Sequence, residues 1–227
     1  MTVITIDPGH GRTTNRSPLD PAFYEGTSNY LFALELKREL EKYDGVFVYL
    51  TRTSIDEDPS LEERGRMAVN FGSDVFLSIH SNASSDPAAY GVEGFYSVNT
   101  PEAKGLLEGL CNAVKLHLPS SKIRRVTTKT DGGEDYYGVL RSSAGVKYSM
   151  LIEQGFHTNA GELACLSSDE WRRTVAELQA RVFSDFFKLT KSTDIKPPVV
   201  DEKAERIARI RYYLNKIEQE LDLLAQS

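Results

Sequence analysis

Three apolar runs in this chain each end on a residue that can bind a metal ion or move a proton. Val3-Ile4-Thr5-Ile6-Asp7-Pro8-Gly9-His10 opens the sequence, Val75-Phe76-Leu77-Ser78-Ile79-His80 lies in its middle, and Met150-Leu151-Ile152-Glu153 comes late. In open α/β sheets, sites are built at the carboxyl edge, where strands give way to loops. Catalytic zinc takes three protein ligands from imidazoles and carboxylates and keeps a position for water. His10 and His80 supply two nitrogens, and Glu25, in Tyr24-Glu25-Gly26, can supply an oxygen. Glu153 then has the place of a general base. It follows Leu151-Ile152, so partial desolvation raises its carboxyl pKa toward a useful range. Each residue alone also suits a structural role: a strand-end histidine can be a hydrogen-bonded core residue, Glu25 a helix-start acid favoured by the macrodipole, and Glu153 half of an ion pair. His117 reads as a dipole partner at a helix C-terminus, and His157 as a wall of the substrate pocket or a proton donor. Spacing alone leaves the metal reading open.

Strand and helix signals alternate along the chain. Ser28 to Tyr43 carries Tyr30, Leu31, Leu34, Leu36 and Leu40 near helical spacing, Asp44-Gly45 stops it, and Val46 to Leu50 is a second strand. Ser60 with Glu63 forms a capping box for a helix from Leu61 to Phe71. Glu93 to Val98 reads as a strand. Thr100 is an N-cap with Pro101 at the first helical position, opening a helix to about His117. Tyr136 to Leu140 and Tyr148 to Ile152 are the last strands, and Ser168 opens a helix through Leu189. This order predicts one α/β domain over residues 1–189, a mostly parallel mixed sheet flanked by helices on both faces. Residues 190–201, with Pro197-Pro198, read as a linker. Residues 202–227 read as an amphipathic C-terminal helix, with Ile207, Ile210, Leu214, Ile217, Leu221 and Leu224 in a short coiled-coil-like seam. That seam suits either docking on its own domain or pairing of subunits into a homo-oligomer.

The bulk properties narrow the partners. At 227 residues, 40% hydrophobic and 26% charged, the chain can bury one sizeable core. A net charge of −6 argues against nucleic acid, which is bound by clustered Lys and Arg. No stretch approaches the roughly 20 apolar residues of a membrane span, so no membrane insertion is expected. Met1-Thr2 leads directly into a strand, so no signal peptide is expected either. Cys111 and Cys165 have no metal-type spacing and read as buried free thiols.

Six segments stand in a telling order: Ile6-Asp7-Pro8-Gly9-His10-Gly11, Tyr24-Glu25-Gly26, Leu50-Thr51-Arg52, Ser78-Ile79-His80-Ser81-Asn82-Ala83, Gly91-Val92-Glu93 and Ile152-Glu153-Gln154-Gly155-Phe156-His157-Thr158-Asn159. Together they resemble the zinc-dependent N-acetylmuramoyl-L-alanine amidases, the type 3 cell-wall amidase family, over about residues 1 to 189. The resemblance implies one Zn²⁺ per chain on His10, Glu25 and His80, and a catalytic Glu153. It implies peptidoglycan as substrate, with hydrolysis of the amide between N-acetylmuramic acid and L-alanine. Arg141, in Val139-Leu140-Arg141, also matches and is expected on the substrate side or in a structural role. Asp7 and Glu93 are the candidates to orient the imidazoles from behind. Two departures stand out. Arg12-Thr13-Thr14-Asn15-Arg16 replaces a Gly-rich stretch, and His157 stands where an apolar residue is common; both are expected at the pocket rim.

Two other readings remain: a related zinc exopeptidase acting on peptide ends, for which Arg141 is the one hint, and a non-catalytic wall-binding or regulatory module on an amidase scaffold. Such a module would be expected to lack a ligand or the base, and all four residues are present. The missing leader fits a phage endolysin made in the host cytoplasm, or a secreted autolysin whose leader has been removed.

Overall fold

The computed structural model describes residues 1–193. Five apolar strands and one short polar one build a single sheet. They are β1 (Thr2–Pro8), β2 (Val46–Leu50), β3 (Val75–Asn82), β4 (Val92–Tyr96), β5 (Ile123–Thr127) and the long late strand Tyr148–Phe156. A two-stranded ladder, β6 (Thr130–Asp131) with β7 (Glu134–Asp135), lies between them in sequence, so the late strand is β8. The sheet order is β2-β1-β3-β8-β4-β5, parallel throughout except where β4 runs antiparallel to β8.

Because β1, β3 and β8 are adjacent and parallel, their carboxyl ends share one edge. The register sets Pro8 beside Ile79 and His80 beside Glu153. Side chains alternate between faces with period two. Ile4, Ile6, Leu77, Ile79, Met150 and Ile152 enter the larger core, under α1 (Glu25–Leu40), α3 (Ala103–Lys115) and α6 (Asp169–Phe187). Phe76, Phe95 and Leu151 enter the smaller core, with Ala68 of α2 (Leu61–Asn70) and with Val139 and Leu140 of α4 (Gly138–Ser142). His80 follows Phe76 by four residues and Glu153 follows Leu151 by two, so both emerge on this second face.

Side-chain caps explain the starts of three helices, two of them visible in the sequence. Ser60 caps α2 in a full capping box with Glu63, and Ser168 caps α6 by accepting from the Trp171 N–H. The first helix begins at Glu25 and ends at Leu40, earlier at both ends than Ser28 to Tyr43. Leu31 and Leu34 lie exposed on its outer side, and the residues after it pair instead with the chain's late segment: Asp44 N–H reaches Thr190 O and Ser192 N–H reaches Lys42 O. Residues 190–192, expected to start the linker, are thus docked. The remainder of the linker and the terminal helix with its seam lie outside the described residues.

Three expectations are corrected. Tyr136 to Leu140 is not a strand: β7 ends at Asp135, and Gly138–Ser142 forms α4, since a short apolar run fits either state and local hydrogen bonds decide. Thr100 does not cap α3; its hydroxyl donates to Ser149 O, and the helix begins at Ala103 after a tight turn. Glu93 to Val98 becomes Val92–Tyr96. Four elements carried no clear signal: β5, the short β6 and β7, and α5 (Ala160–Leu166), the last capped by Asn159. Cys111 and Cys165 are free thiols, the first buried and the second partly so.

Candidate functional site

The three strand ends meet the first turn of α1. One ligand-type atom each from His10, Glu25 and His80 falls within 4.8 Å of the others. The imidazoles stand edge to face at 4.8 Å between ring centroids. Backbone approach makes this compactness depend on glycine. A Cβ on Gly9 would fall 2.1 Å from His80 Cε1, and one on Gly26 would fall 1.8 Å from Gly11 O. His10 itself adopts φ 64°, a left-handed conformation costly for a residue with a side chain.

Two buried arginines hold that backbone. Arg64 donates from Nη1 to Asp7 Oδ1 and Pro8 O, both at 2.8 Å, and from Nη2 to His10 O and Asp58 Oδ1. Arg52, wholly buried, donates to Pro8 O and to Gly26 O, joining the end of β1 to the start of α1. Asp7 is also fully buried and accepts from Thr51 and Ser78 hydroxyls besides Arg64. Burial would raise its carboxyl pKa, but the Arg64 charge and these hydrogen bonds bring it below the ordinary value.

Glu25 is 2% exposed, and its oxygens are well supplied. Oε1 accepts from Ser81 N–H at 3.0 Å and lies 3.1 Å from His80 Nδ1; Oε2 accepts from Asn15 Nδ2 at 2.8 Å. Burial opposes its charge, yet the His80 hydrogen bond, the charges on both histidines and the Asn15 amide outweigh burial and hold its pKa at about 2. The Asn15 amide also lies 3.1 Å from His10 Nε2. Burial, helped by His80 and Arg64, lowers the His10 pKa despite Glu25, which favours the neutral imidazole a metal requires. For His80 burial acts the same way, but the Glu25 hydrogen bond and the Glu153 charge outweigh it and move its pKa up.

Glu153 is the opposite case. Its Oε2 is closed off from solvent and has no hydrogen-bond partner among the described residues. Burial first, then the charges of Glu25 and Glu93, push its pKa up to about 7 against the pull of His80. A cavity of about 250 Å³ opens beside the cluster, lined by Asp7, His10, Asp58, Leu61, His80 and Val139 among others. The donor set therefore fits zinc: two imidazoles and one carboxylate converge, and an acid with an unpartnered oxygen lies directly beside His80 in the register of β3 and β8.

The N-acetylmuramoyl-L-alanine amidase family model matches residues 4–183. The chain belongs to that family. A sporulation-specific N-acetylmuramoyl-L-alanine amidase from Bacillus subtilis is 30% identical over 196 residues, 85% of this chain and 71% of the relative. The fold is shared with the catalytic domain of CwlV, an N-acetylmuramoyl-L-alanine amidase from Bacillus (Paenibacillus) polymyxa. That match has a TM-score of 0.68 and 26% identity, covering 84% of this chain and 100% of that one. An N-acetylmuramoyl-L-alanine amidase from Clostridium difficile superposes with the same TM-score at 28% identity, covering 82% and 97%.

Within this amidase fold the four outlying sequence candidates fall away from the ligand cluster. Asp7 touches neither imidazole; it acts on the His10 backbone through Arg64. Glu93 accepts from Asn82 and Arg124, with Arg125 also close, because β5 brings two arginines beside it. It is therefore not an imidazole partner. Arg141 is exposed; it donates to Asp135 O and Tyr136 O and also lines a second cavity with Leu61, Glu62, Arg66 and Ser142, away from the ligand cluster. His157 is not at the rim. It is 3% exposed, stacked on Phe23, with Nδ1 3.0 Å from Ser81 Oγ. Asn15, expected merely to line that rim, reaches two of the three candidate ligands, Glu25 and His10. It, Arg52, Arg64 and Ser81 were missed as site residues, although Thr51-Arg52 and His80-Ser81 lie inside the ordered motifs.

Proposed function

We propose that this chain hydrolyses the amide joining the lactyl group of N-acetylmuramic acid to L-alanine in bacterial peptidoglycan, and that it does so with one zinc ion. The observation that carries this reading is the pairing of a converged His10–Glu25–His80 cluster with a neighbouring glutamate whose buried oxygen has no partner, in a chain of the amidase family. The three ligands would hold zinc, which when bound supplies a Lewis acid for the carbonyl and lowers the pKa of water. Asn15, Ser81 and the arginine-clamped loop keep the ligands in place before any ion arrives. Glu153 moves the protons. Burial and acidic neighbours raise its pKa in the metal-free site, and its unpartnered Oε2 is free to accept a proton from the attacking water. The same oxygen then delivers that proton to the alanine nitrogen as the carbon–nitrogen bond breaks.

The test is a digest of purified peptidoglycan with the zinc-loaded chain. Intact stem peptides with a new amino-terminal L-alanine, found by mass spectrometry, are expected. Release of single amino acids instead would identify an exopeptidase and overturn the reading. Glu153→Gln is expected to keep its zinc and lose roughly 10⁴-fold in turnover.

A further inference from the structure

On the site face of the sheet, the antiparallel register of β4 and β8 sets Phe95 opposite Leu151 and Glu93 opposite Glu153. The two pairs are one step apart on the same face. Tyr137 packs its ring on Phe95, 5.0 Å between centroids, and so stands one step from the Glu93–Glu153 pair.

Its backbone is fastened with unusual care for a loop. The Asp135 carboxylate, 2% exposed, accepts from Ser97 Oγ at 2.6 Å and from Val98 N–H at 2.9 Å. Arg141 gathers the Asp135 and Tyr136 carbonyls, and the Tyr137 carbonyl accepts from the Leu140 and Arg141 N–H groups of α4. The ammonium of Lys129 lies over both tyrosine rings, at 3.7 Å from the Tyr136 centroid and 5.2 Å from that of Tyr137. Against all this anchoring, the Tyr137 hydroxyl makes no hydrogen bond with any described residue. Half-burial, then the charges of Glu153 and Glu93, move its pKa up, so the phenol keeps its proton wherever Glu153 can work as a base. A protonated phenol in a rigid mount is a donor waiting for an acceptor, and an amide offers one, its carbonyl oxygen.

We propose that Tyr137 donates a hydrogen bond from its hydroxyl to the carbonyl oxygen of the scissile amide as negative charge gathers there. This rests on the amidase reading and adds to it a residue that touches the reacting group. A donor aimed at developing charge stabilises the transition state more than the bound substrate, so its loss lowers kcat more than it raises KM.

The test compares wild type, Tyr137→Phe and Tyr136→Phe, each as the full zinc-loaded chain, on soluble muropeptides. Tyr137→Phe keeps the ring on Phe95 and removes only the hydroxyl. It is expected to lose roughly 10²-fold in kcat with KM little changed, and with zinc content and melting temperature unaltered. Tyr136→Phe is expected to behave as wild type. Full kcat in Tyr137→Phe, an equal loss in Tyr136→Phe, or a loss matched by missing zinc each overturns the inference while leaving the amidase reading intact. A wild-type chain that cleaves no muramyl–alanine amide overturns that reading, and the inference with it.

Discussion

Glu25 and Glu153 are two glutamates at the same sheet edge, the first buried and the second partly buried with one oxygen closed off from solvent, and they are driven in opposite directions. Glu25 has hydrogen-bond donors on each oxygen and is held at about 2; Glu153 has a buried oxygen with none and rises to about 7. Burial opposes charge in both. What separates them is the supply of donors: a backbone N–H, an amide and an imidazole converge on one, while the other has a buried oxygen with no donor and its rise by burial, Glu25 and Glu93 exceeds the pull of His80. A metal ligand must be ionised and fixed, and a proton shuttle must be able to change state. The fold sets the two environments side by side by placing one acid at the start of α1 and the other within β8, beside His80.

The sharpest way to break this comparison is to neutralise each acid in turn. Glu25→Gln removes a ligand charge, and zinc affinity measured by chelator competition is expected to fall by about 10³-fold or more, beyond the 10- to 100-fold typical of outer partners. Glu153→Gln is expected to leave zinc affinity within a few fold while abolishing turnover. Equal zinc loss in the two variants would mean that Glu153 is a ligand, and the division of labour would fail.

A second disruption strikes only the ligand side. Arg64→Ala strips the fully buried Asp7 of its counter-ion and frees the carbonyls of Pro8 and His10. Removing one partner of a buried pair costs about 3–5 kcal/mol. Denaturant unfolding of the metal-free chain should show that loss. A cost below about 1 kcal/mol would mean that the clamp on the His10 loop is dispensable.

How far these residues were legible in the sequence follows the same division. His80 and Glu153 sit on strands whose period-two patterning fixes their face, so strand and direction were legible. β8 nevertheless runs on to Phe156, past the expected end at Ile152, and His10 lies beyond β1 in a left-handed turn that patterning does not orient. Arg52 and Arg64 were not legible, because a buried arginine looks like a surface one until its carbonyl partners are known. Asn15 lies in a loop with no periodicity, and its contact exists only because α1 docks its first turn against that loop. Glu93 was assigned to the imidazoles because β5, the strand that supplies its arginines, shows no alternation in Ile123-Arg124-Arg125-Val126-Thr127. Tyr136 to Leu140 looked like a strand for want of any local sign that Arg141 folds back on Asp135 and Tyr136.

The opposed pKa values also predict opposed stability profiles in the metal-free protein. Glu153 rises from 4.5 to about 7, so its contribution is full below 4.5 and is lost as pH climbs through 7. Glu25 falls from 4.5 to about 2, so its contribution is present above 4.5 and is lost only as pH drops through 2. Glu153→Gln should therefore be more stable than wild type at pH 8, on the order of 2 kcal/mol, with the gap closing by pH 4. Glu25→Gln should be less stable than wild type at pH 7. Parallel melting curves across this range for both variants would refute the contrast.

The smallest expected effect tests how the ligand side is prepared. Asn15 Nδ2 faces Glu25 Oε2 at 2.8 Å and His10 Nε2 at 3.1 Å, with its own backbone at φ 54°. An amide N–H₂ between two ligand groups holds them close without adding charge, so losing it loosens geometry more than electrostatics. Outer partners of this kind are worth roughly 10- to 100-fold in metal affinity. Asn15→Ala should sit in that range for zinc, while the pH dependence of turnover, set on the Glu153 side, stays where it was. If Asn15→Ala shifted that pH profile and left zinc affinity alone, the two halves of the site would be coupled through Asn15, and the separation drawn between the glutamates would have to be abandoned.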